Sequence, residues 1–387
     1  MQAKRIQAEH GIVCRMADRE EGYFGWPSIA RADDGRLLVV ASGPRVSHLC
    51  PFGKVSILES LDEGRTWSPP RVISDTPLDD RDAGIVSLGP DRLLVSSFTV
   101  DSRVSLPSSA KHWSDPVRKR AMSLMGTWTD PLMRDWLTPY VLLSEDGGRE
   151  WSKPIRTPVS TPHGPIRLRD GSLLYLGWYT QIARRFPRPA DAASAGTPDV
   201  GHEHDAIRAC RSTDGGRTWA VVGEVPPAPG TRTGNYFEPH VVELPDGKLI
   251  ALLRFSLRSA EDRASPAGID FSMYQTQSDD GGVTWSTARP LGVYGSPPHL
   301  MRHSWGALVC SYSYRKPPLG QRVMISRDGG TTWDADWILR DDAPHKDLGY
   351  PCSVELADGA ILTVYYQKVA ANEPCSLLWS RWRLPRE

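Results

Sequence analysis

Glu238 and Tyr350 stand in the phrases NYFEPHVVELPDGKL and LGYPCSVELADGAI, each nine positions before the glycine of an Asp-Gly turn, Gly247 and Gly359. A carboxylate held against a phenol can take its proton and free the oxygen to attack an anomeric carbon. A nucleophile that starts neutral suits a substrate with its own carboxylate, which would repel an anionic one. That carboxylate would need cations. Arg254 in ALLRFS and Arg315 in SYSYRKPP fall at matching places in their repeats, and guanidinium forks meet carboxylates in a plane. His240 and His299 share another register, seven positions before Gly247 and Gly306. Strand side chains alternate in direction, so Glu238 and His240 face the same way.

The elements that must position these groups repeat along the chain. Six segments share one grammar: an apolar strand, a tight turn usually containing Asp-Gly, and a second strand rich in Leu, Val and Ile, as in ARADDGRLLVVAS, ELPDGKLIALLR and ELADGAILTVYY. This is how a hairpin reads. A third strand follows and ends in Ser-x-Asp-x-Gly-x-x-Trp, which occurs at 60, 144, 212, 278 and 326; a Pro-containing fourth strand comes next. Four strands per unit in six units predict an all-β, six-bladed β-propeller forming a single domain over 1–387. The last unit stops at Ser380-Arg381, where another box would continue, so segment 5–16 is expected to supply that blade's outer strand and cover its edge. A turn used alike in five blades reads as architecture: Ser and Asp bond turn backbone, Gly tolerates positive φ, and Trp wedges between sheets. Chemistry belongs where the blades differ, at the mouths of their first strands.

Composition narrows the partners. Forty-six basic residues balance 46 acidic ones across 387 positions, so no global field recruits nucleic acid or an anionic membrane. The N-terminus lacks the apolar core of a secretory signal, and cytoplasmic residence is the expectation. Six cysteines without a CxxC pair suit free thiols.

The boxes on a six-bladed ring, the run from Glu238 to Arg254 and the Tyr that opens YPCSVEL resemble sialidases, also called neuraminidases, over nearly the whole chain. The resemblance implies an exo-acting glycoside hydrolase that releases a terminal acidic sugar without metal or organic cofactor. It makes Tyr350 the nucleophile, Glu238 its base partner, and Arg254 and Arg315 two members of an arginine triad that grips the sugar carboxylate. Two departures stand out. Where the family's first blade offers an Arg, this chain has Gly25 in FGWP; and where the family has an acid/base Asp, SGPRVSHLCPFGKVS holds no carboxylate. Arg45 can replace the guanidinium, and either His48 or a carboxylate of DDRD (Asp79, Asp80, Asp82) can donate the leaving-group proton. The ligand can equally be another acidic sugar, a nonulosonate relative or a uronate. Two further classes stay open: a carbohydrate-binding propeller without catalysis, and a lyase using Tyr and His.

Other residues join the candidate lining. Arg81 and Asp82 read as a pair tying loop to strand or as site residues. His163, His240 and His299 read as hydrogen-bonded channel fillers or ligand contacts, and Trp26, Trp128, Trp136 and Trp178 as faces on which a sugar could stack. Insertions are expected at 103–137 and 181–206. The first holds a short helix capped by Ser114 or Asp115 with Pro116 in its first turn, acting as a lid or a dimer contact. The second is Pro/Ala-rich and ends in GHEHDA, whose His202 and His204 either bind metal or reach over the channel mouth.

Overall fold

The computed structural model describes residues 4–104, 110–178, 206–264 and 267–385. Six four-stranded antiparallel sheets follow one another as the blades of a propeller. Their innermost strands are Tyr23–Arg31, Asp79–Gly89, Ile166–Arg167, Tyr236–Glu243, Pro298–Arg302 and Gly349–Glu355. Ala8–Cys14 pairs antiparallel with Cys375–Trp382, from Ala8 opposite Trp382 to Cys14 opposite Leu377, and completes the sixth sheet. The first and last strands thus share one blade, and Ala8–Cys14 covers the edge that Cys375–Trp382 would otherwise expose.

Second strands such as LLVVAS, LIALLRF and ILTVYYQ are buried almost throughout. A sheet packed between two others buries both faces, so its central strands read as continuous apolar runs. The core accordingly lies between blades. Leu37, Val39 and Ala41 of blade one share a cluster with Leu362, Val364 and Tyr366 of blade six. All six cysteines are buried free thiols within the described residues. No described helix is long and apolar enough to cross a membrane.

The box at 212–219 shows why the phrase recurs. Ser212 Oγ accepts the Gly216 amide and donates to Asp214 Oδ1, each at 2.8 Å. Asp214 takes the amides of Arg217 and Thr218 and the Thr218 hydroxyl, while the Trp219 indole donates to the Gly216 carbonyl at 3.0 Å. Gly216 sits at φ +91°, open to glycine at little cost. Ser60 of the first box pairs with Leu37, at the turn end of blade one, whereas Arg254 pairs with Phe237 at the start of blade four's inner strand. Boxes and candidate site therefore occupy opposite rims.

Among its described residues, the insertion at 103–137 holds two α-helices where one was expected. Asp115–Gly126 is capped by the Ser114 side chain, and Asp130–Trp136 by Thr129, each with proline in its first turn. Trp113, Val117, Met125, Trp128 and Met133 pack with Cys50 and Leu78, and the Trp113 indole donates to Ser47 Oγ at 3.2 Å. The insertion is a buttress behind the loop that carries His48. Residues 181–205, with His202 and His204, lie outside the described residues.

Candidate active site

Four inner strands break register at one place: between Gly25 and Ser28, Arg81 and Gly84, Phe237 and His240, and Gly349 and Cys352. Inside these gaps, Trp26, Asp82, Glu238 and Tyr350 have φ of +52°, +48°, +43° and +53°. A bulge opposes two residues to one and re-aims a side chain. Here it turns four different side chains toward the axis at one level. His163 of blade three joins them with φ +74°. Positive φ costs a non-glycine residue about 1–2 kcal/mol, so the fold spends stability to build this rim.

Tyr350 and Glu238, 112 residues apart, meet there: the phenol donates to Glu238 Oε1 at 2.5 Å. Arg254 Nη1 donates to Glu238 Oε2 at 2.7 Å. Arg315 turns Nε and Nη2 to the Leu348 carbonyl, at 3.3 and 2.9 Å. The two guanidinium carbons lie 5.0 and 4.9 Å from the Phe271 ring centre, so Phe271 aligns both cations. Burial, followed by the Glu238 charge, holds the Tyr350 phenol well above its ordinary value. It therefore stays protonated until a base takes the proton. The four groups in matching sequence registers converge on one place, through the Tyr350–Glu238–Arg254 bonds and the shared Phe271 ring.

Asp82 lies close by. Burial pushes its carboxyl up to about 7, opposed by Arg81 and reinforced by Glu238. Its Oδ1 is buried without a hydrogen-bond partner, and Arg81 Nε stands 3.7 Å away. Asp79 and Asp80 are fully buried. Asp79 accepts from Arg45 at 3.0 Å and Asp80 from Tyr140 at 2.8 Å, so neither reaches the pocket.

Arg45 does not replace the absent triad arginine. It is 0% exposed, and its donors are spent on Asp79, Ser42 and the carbonyls of Ser47, Asp80 and His48. Trp26 is no sugar platform either, being 1% exposed. The guanidinium carbons of Arg81 and Arg45 stand 4.1 and 4.9 Å from its ring centre, and His48 meets it edge-on at 4.8 Å. Trp26 is a buried post around which the first quadrant is assembled. Trp128 is buried too, beneath the inserted helices. At Gly25 a Cβ would lie 3.1 Å from Tyr23 Cε1, so the Tyr23 ring occupies the direction an arginine would take.

His48 projects from the buttressed loop with its side chain 47% exposed, and its Nδ1 lies 2.9 Å from Asp347 Oδ1. The Tyr23 and Tyr366 hydroxyls also donate to Asp347, at 3.1 and 3.3 Å. Against its burial, the hydrogen bond and charge of His48, with the hydrogen bonds of Tyr23 and Cys375, hold the Asp347 carboxyl down at about 2. Asp347, Tyr23, Tyr366 and Phe271 escaped the sequence reading. Asp347 carries only the hint of lying three residues before Tyr350, and Phe271 carries none.

His163, His240 and His299 form a plug on the axis. Their ring centres are 4.3 to 5.8 Å apart, and each is 5–7% exposed. His240 Nδ1 accepts the Leu300 amide at 3.0 Å and His299 Nδ1 the Ser353 amide at 3.3 Å. Backbone amides only donate, so both rings carry their proton on Nε2 and present no lone pair there to a metal. Among the described residues no cluster of His, Cys, Asp or Glu could hold a metal ion. Burial lowers all three pKa values, His240 to about 4. The trio is a neutral, hydrogen-bonded filling of the channel.

Comparison with known proteins follows the same architecture. A Dyadobacter fermentans protein of unknown function aligns over 100% of both chains with TM-score 0.71 and 22% identity. The intramolecular trans-sialidase of Ruminococcus gnavus, solved with oseltamivir carboxylate, covers 97% of each chain at TM-score 0.61 and 18% identity. A Penicillium chrysogenum alpha-L-arabinanase, complexed with arabinobiose, covers 96% of this chain and 98% of its own at TM-score 0.60 and 15% identity. At such identities the likeness carries the fold alone. No curated protein matches the chain. The BNR repeat-like domain family matches residues 121–363, more than half of the 387, and the boxes, blades and ring closure agree with it: the chain belongs to the BNR repeat-like domain family.

Proposed function

We propose that the protein is an exo-acting glycoside hydrolase that releases a terminal acidic sugar, a sialic acid or a relative, through a covalent intermediate on Tyr350. The observation that carries this is the 2.5 Å hydrogen bond from the Tyr350 phenol to Glu238, made across the ring. Glu238 takes the phenolic proton as the oxygen attacks the anomeric carbon. Arg254 and Arg315 supply positive charge beside the attack site, where a substrate carboxylate would sit. Likeness in fold to a trans-sialidase and to an arabinanase supports carbohydrate chemistry at a propeller mouth.

A second reading concerns the sugar. Tyr23 fills the place of the first triad arginine, which favours an acidic sugar whose carboxylate meets two guanidinium groups. Incubation with 4-methylumbelliferyl sialic acid and with a panel of uronate and nonulosonate glycosides separates the readings. Release from one of these that falls at least about a thousandfold in Tyr350→Phe is expected. Undiminished release by that variant refutes the tyrosine route, an unsaturated ultraviolet-absorbing product indicates a lyase, and binding without release indicates a carbohydrate-binding propeller.

A further inference from the structure

Breaking a glycosidic bond leaves an oxygen that must gain a proton, and the pocket offers His48 and Asp82 for that duty. We propose that His48 protonates the leaving oxygen and that Asp347 is the positioning residue that aims it. The inference rests on the tyrosine-nucleophile reading above and adds to it a carboxylate–imidazole pair.

The fold holds His48 from three sides. Its ring is fixed by Asp347, whose carboxylate is itself gripped by Tyr23 and Tyr366. Its carbonyl accepts from Arg45 Nη2 and Arg81 Nη1, both at 3.1 Å. Its loop is tied to the inserted helices through Ser47 and Trp113. The buried arginines thus serve as anchors of the His48 loop. With Nδ1–H given to Asp347, Nε2 has no protein partner among the described residues, and nearly half of the side chain is open to solvent. A carboxylate on one imidazole nitrogen fixes the ring and stabilises its protonated form. Asp82 has the opposite setting: its side chain is 8% exposed, and its charge couples to Glu238 and Tyr350. It belongs to the nucleophile's side, whereas a leaving group must depart toward solvent.

The step balances. As the Tyr350 oxygen bonds to the anomeric carbon, its proton passes to Glu238, the glycosidic C–O bond breaks, and the proton on His48 Nε2 passes to the departing oxygen. A water then attacks the same carbon, His48 takes its proton, the aryl ether bond breaks, and Glu238 returns a proton to Tyr350. The charged and titratable groups facing His48 are Asp347, Tyr23, Arg81 and Arg45. Burial and the two guanidiniums lower its pKa, and Asp347 opposes them. The acid form is therefore lost at a pH below the ordinary imidazole value, and activity should decline as pH rises through that lowered value, before the ordinary one is reached.

A leaving-group series tests this: dinitrophenyl, nitrophenyl and methylumbelliferyl glycosides of the cleaved sugar, beside its natural glycan. In kcat/KM, which reports formation of the intermediate and not its hydrolysis, His48→Ala should lose about 10²–10⁴-fold on the natural glycan and little on the dinitrophenyl glycoside, whose leaving oxygen needs no proton. Asp347→Asn should show the same leaving-group pattern more weakly and move the alkaline limb to lower pH. Imidazole NMR should show the His48 pKa falling in Asp347→Asn, a reading independent of turnover. Equal losses of His48→Ala across the series, transfer of the pattern to Asp82→Asn, an unmoved His48 pKa, or no release from any glycoside would each overturn the proposal. If the pattern holds for His48 while Tyr350→Phe stays fully active, the nucleophile reading fails and the proton donor stands.

Discussion

Tyr350 and Glu238 share one short hydrogen bond, and burial followed by the Glu238 charge keeps the proton on the phenol, against the opposing charges of Arg254 and Arg315. Arg254 also bonds Glu238 directly. Glu238→Gln removes the base while keeping the shape. It should cost about 10²–10⁴-fold in kcat/KM with the thermal midpoint little changed, as initial rates beside a melt would show; activity near wild type would remove Glu238 from the mechanism. Gly25→Arg tests the rebuilt quadrant. Placing the arginine that sialidases carry should lower activity, because its Cβ starts 3.1 Å from Tyr23 Cε1 and must push the Tyr23 phenol off Asp347. A gain in turnover or in affinity for sialic acid would show that the quadrant was vacant.

At the scale of elements, two devices repeat and do opposite work. The bulge at the start of the inner strand builds the candidate site, because it varies in side chain and keeps positive φ. The box at the far rim is spent on stability, because it repeats one hydrogen-bonded circuit. Ser212→Ala removes an acceptor for the buried Gly216 amide and a donor to Asp214. About 1–3 kcal/mol of folding stability should be lost with kcat and KM unchanged, measured by urea denaturation and initial rates. A kinetic effect comparable to that of Glu238→Gln would place the boxes in the chemistry. The bulge register was half legible in sequence. Glu238 and Tyr350 were aligned on their turns, but Trp26 and Asp82 lie nine positions before Gly35 and Asp91 on the same rule.

For the whole molecule, the ring brings ionisable groups from separate blades to its axis, and folding becomes linked to protons. The three channel histidines have folded pKa values below the unfolded value of about 6.5. The unfolded chain therefore binds protons that the folded chain refuses. Each such histidine costs nothing above that value and about 1.4 kcal/mol per pH unit below it, until its folded pKa is reached. Asp80 and Asp82, raised to about 7 by burial, run the other way between about 7 and their ordinary value of 3.8. The difference between two proteins isolates one group. His240→Gln, whose amide oxygen can still accept from Leu300, should lose stability less steeply than wild type between pH 6.5 and about 4, as urea midpoints along a pH series would show. Parallel profiles would mean that His240 is protonated in the folded chain.

Sequence alone determined the propeller, because strands, turns and boxes are local and their repetition multiplies a weak signal six times. It also placed Tyr350, Glu238, Arg254 and Arg315, because each sits at a fixed distance from a repeated turn. Only the tertiary structure decided what Arg45, Arg81, Trp26 and His48 do. All four stand in the rebuilt first quadrant, where no repeat position predicts a role and burial sets it. Arg45 and Trp26 are enclosed, whereas His48 is half open and bonded to Asp347. Asp347 meets His48 across 299 residues of chain, a contact that exists because a closed ring makes its first and last blades neighbours.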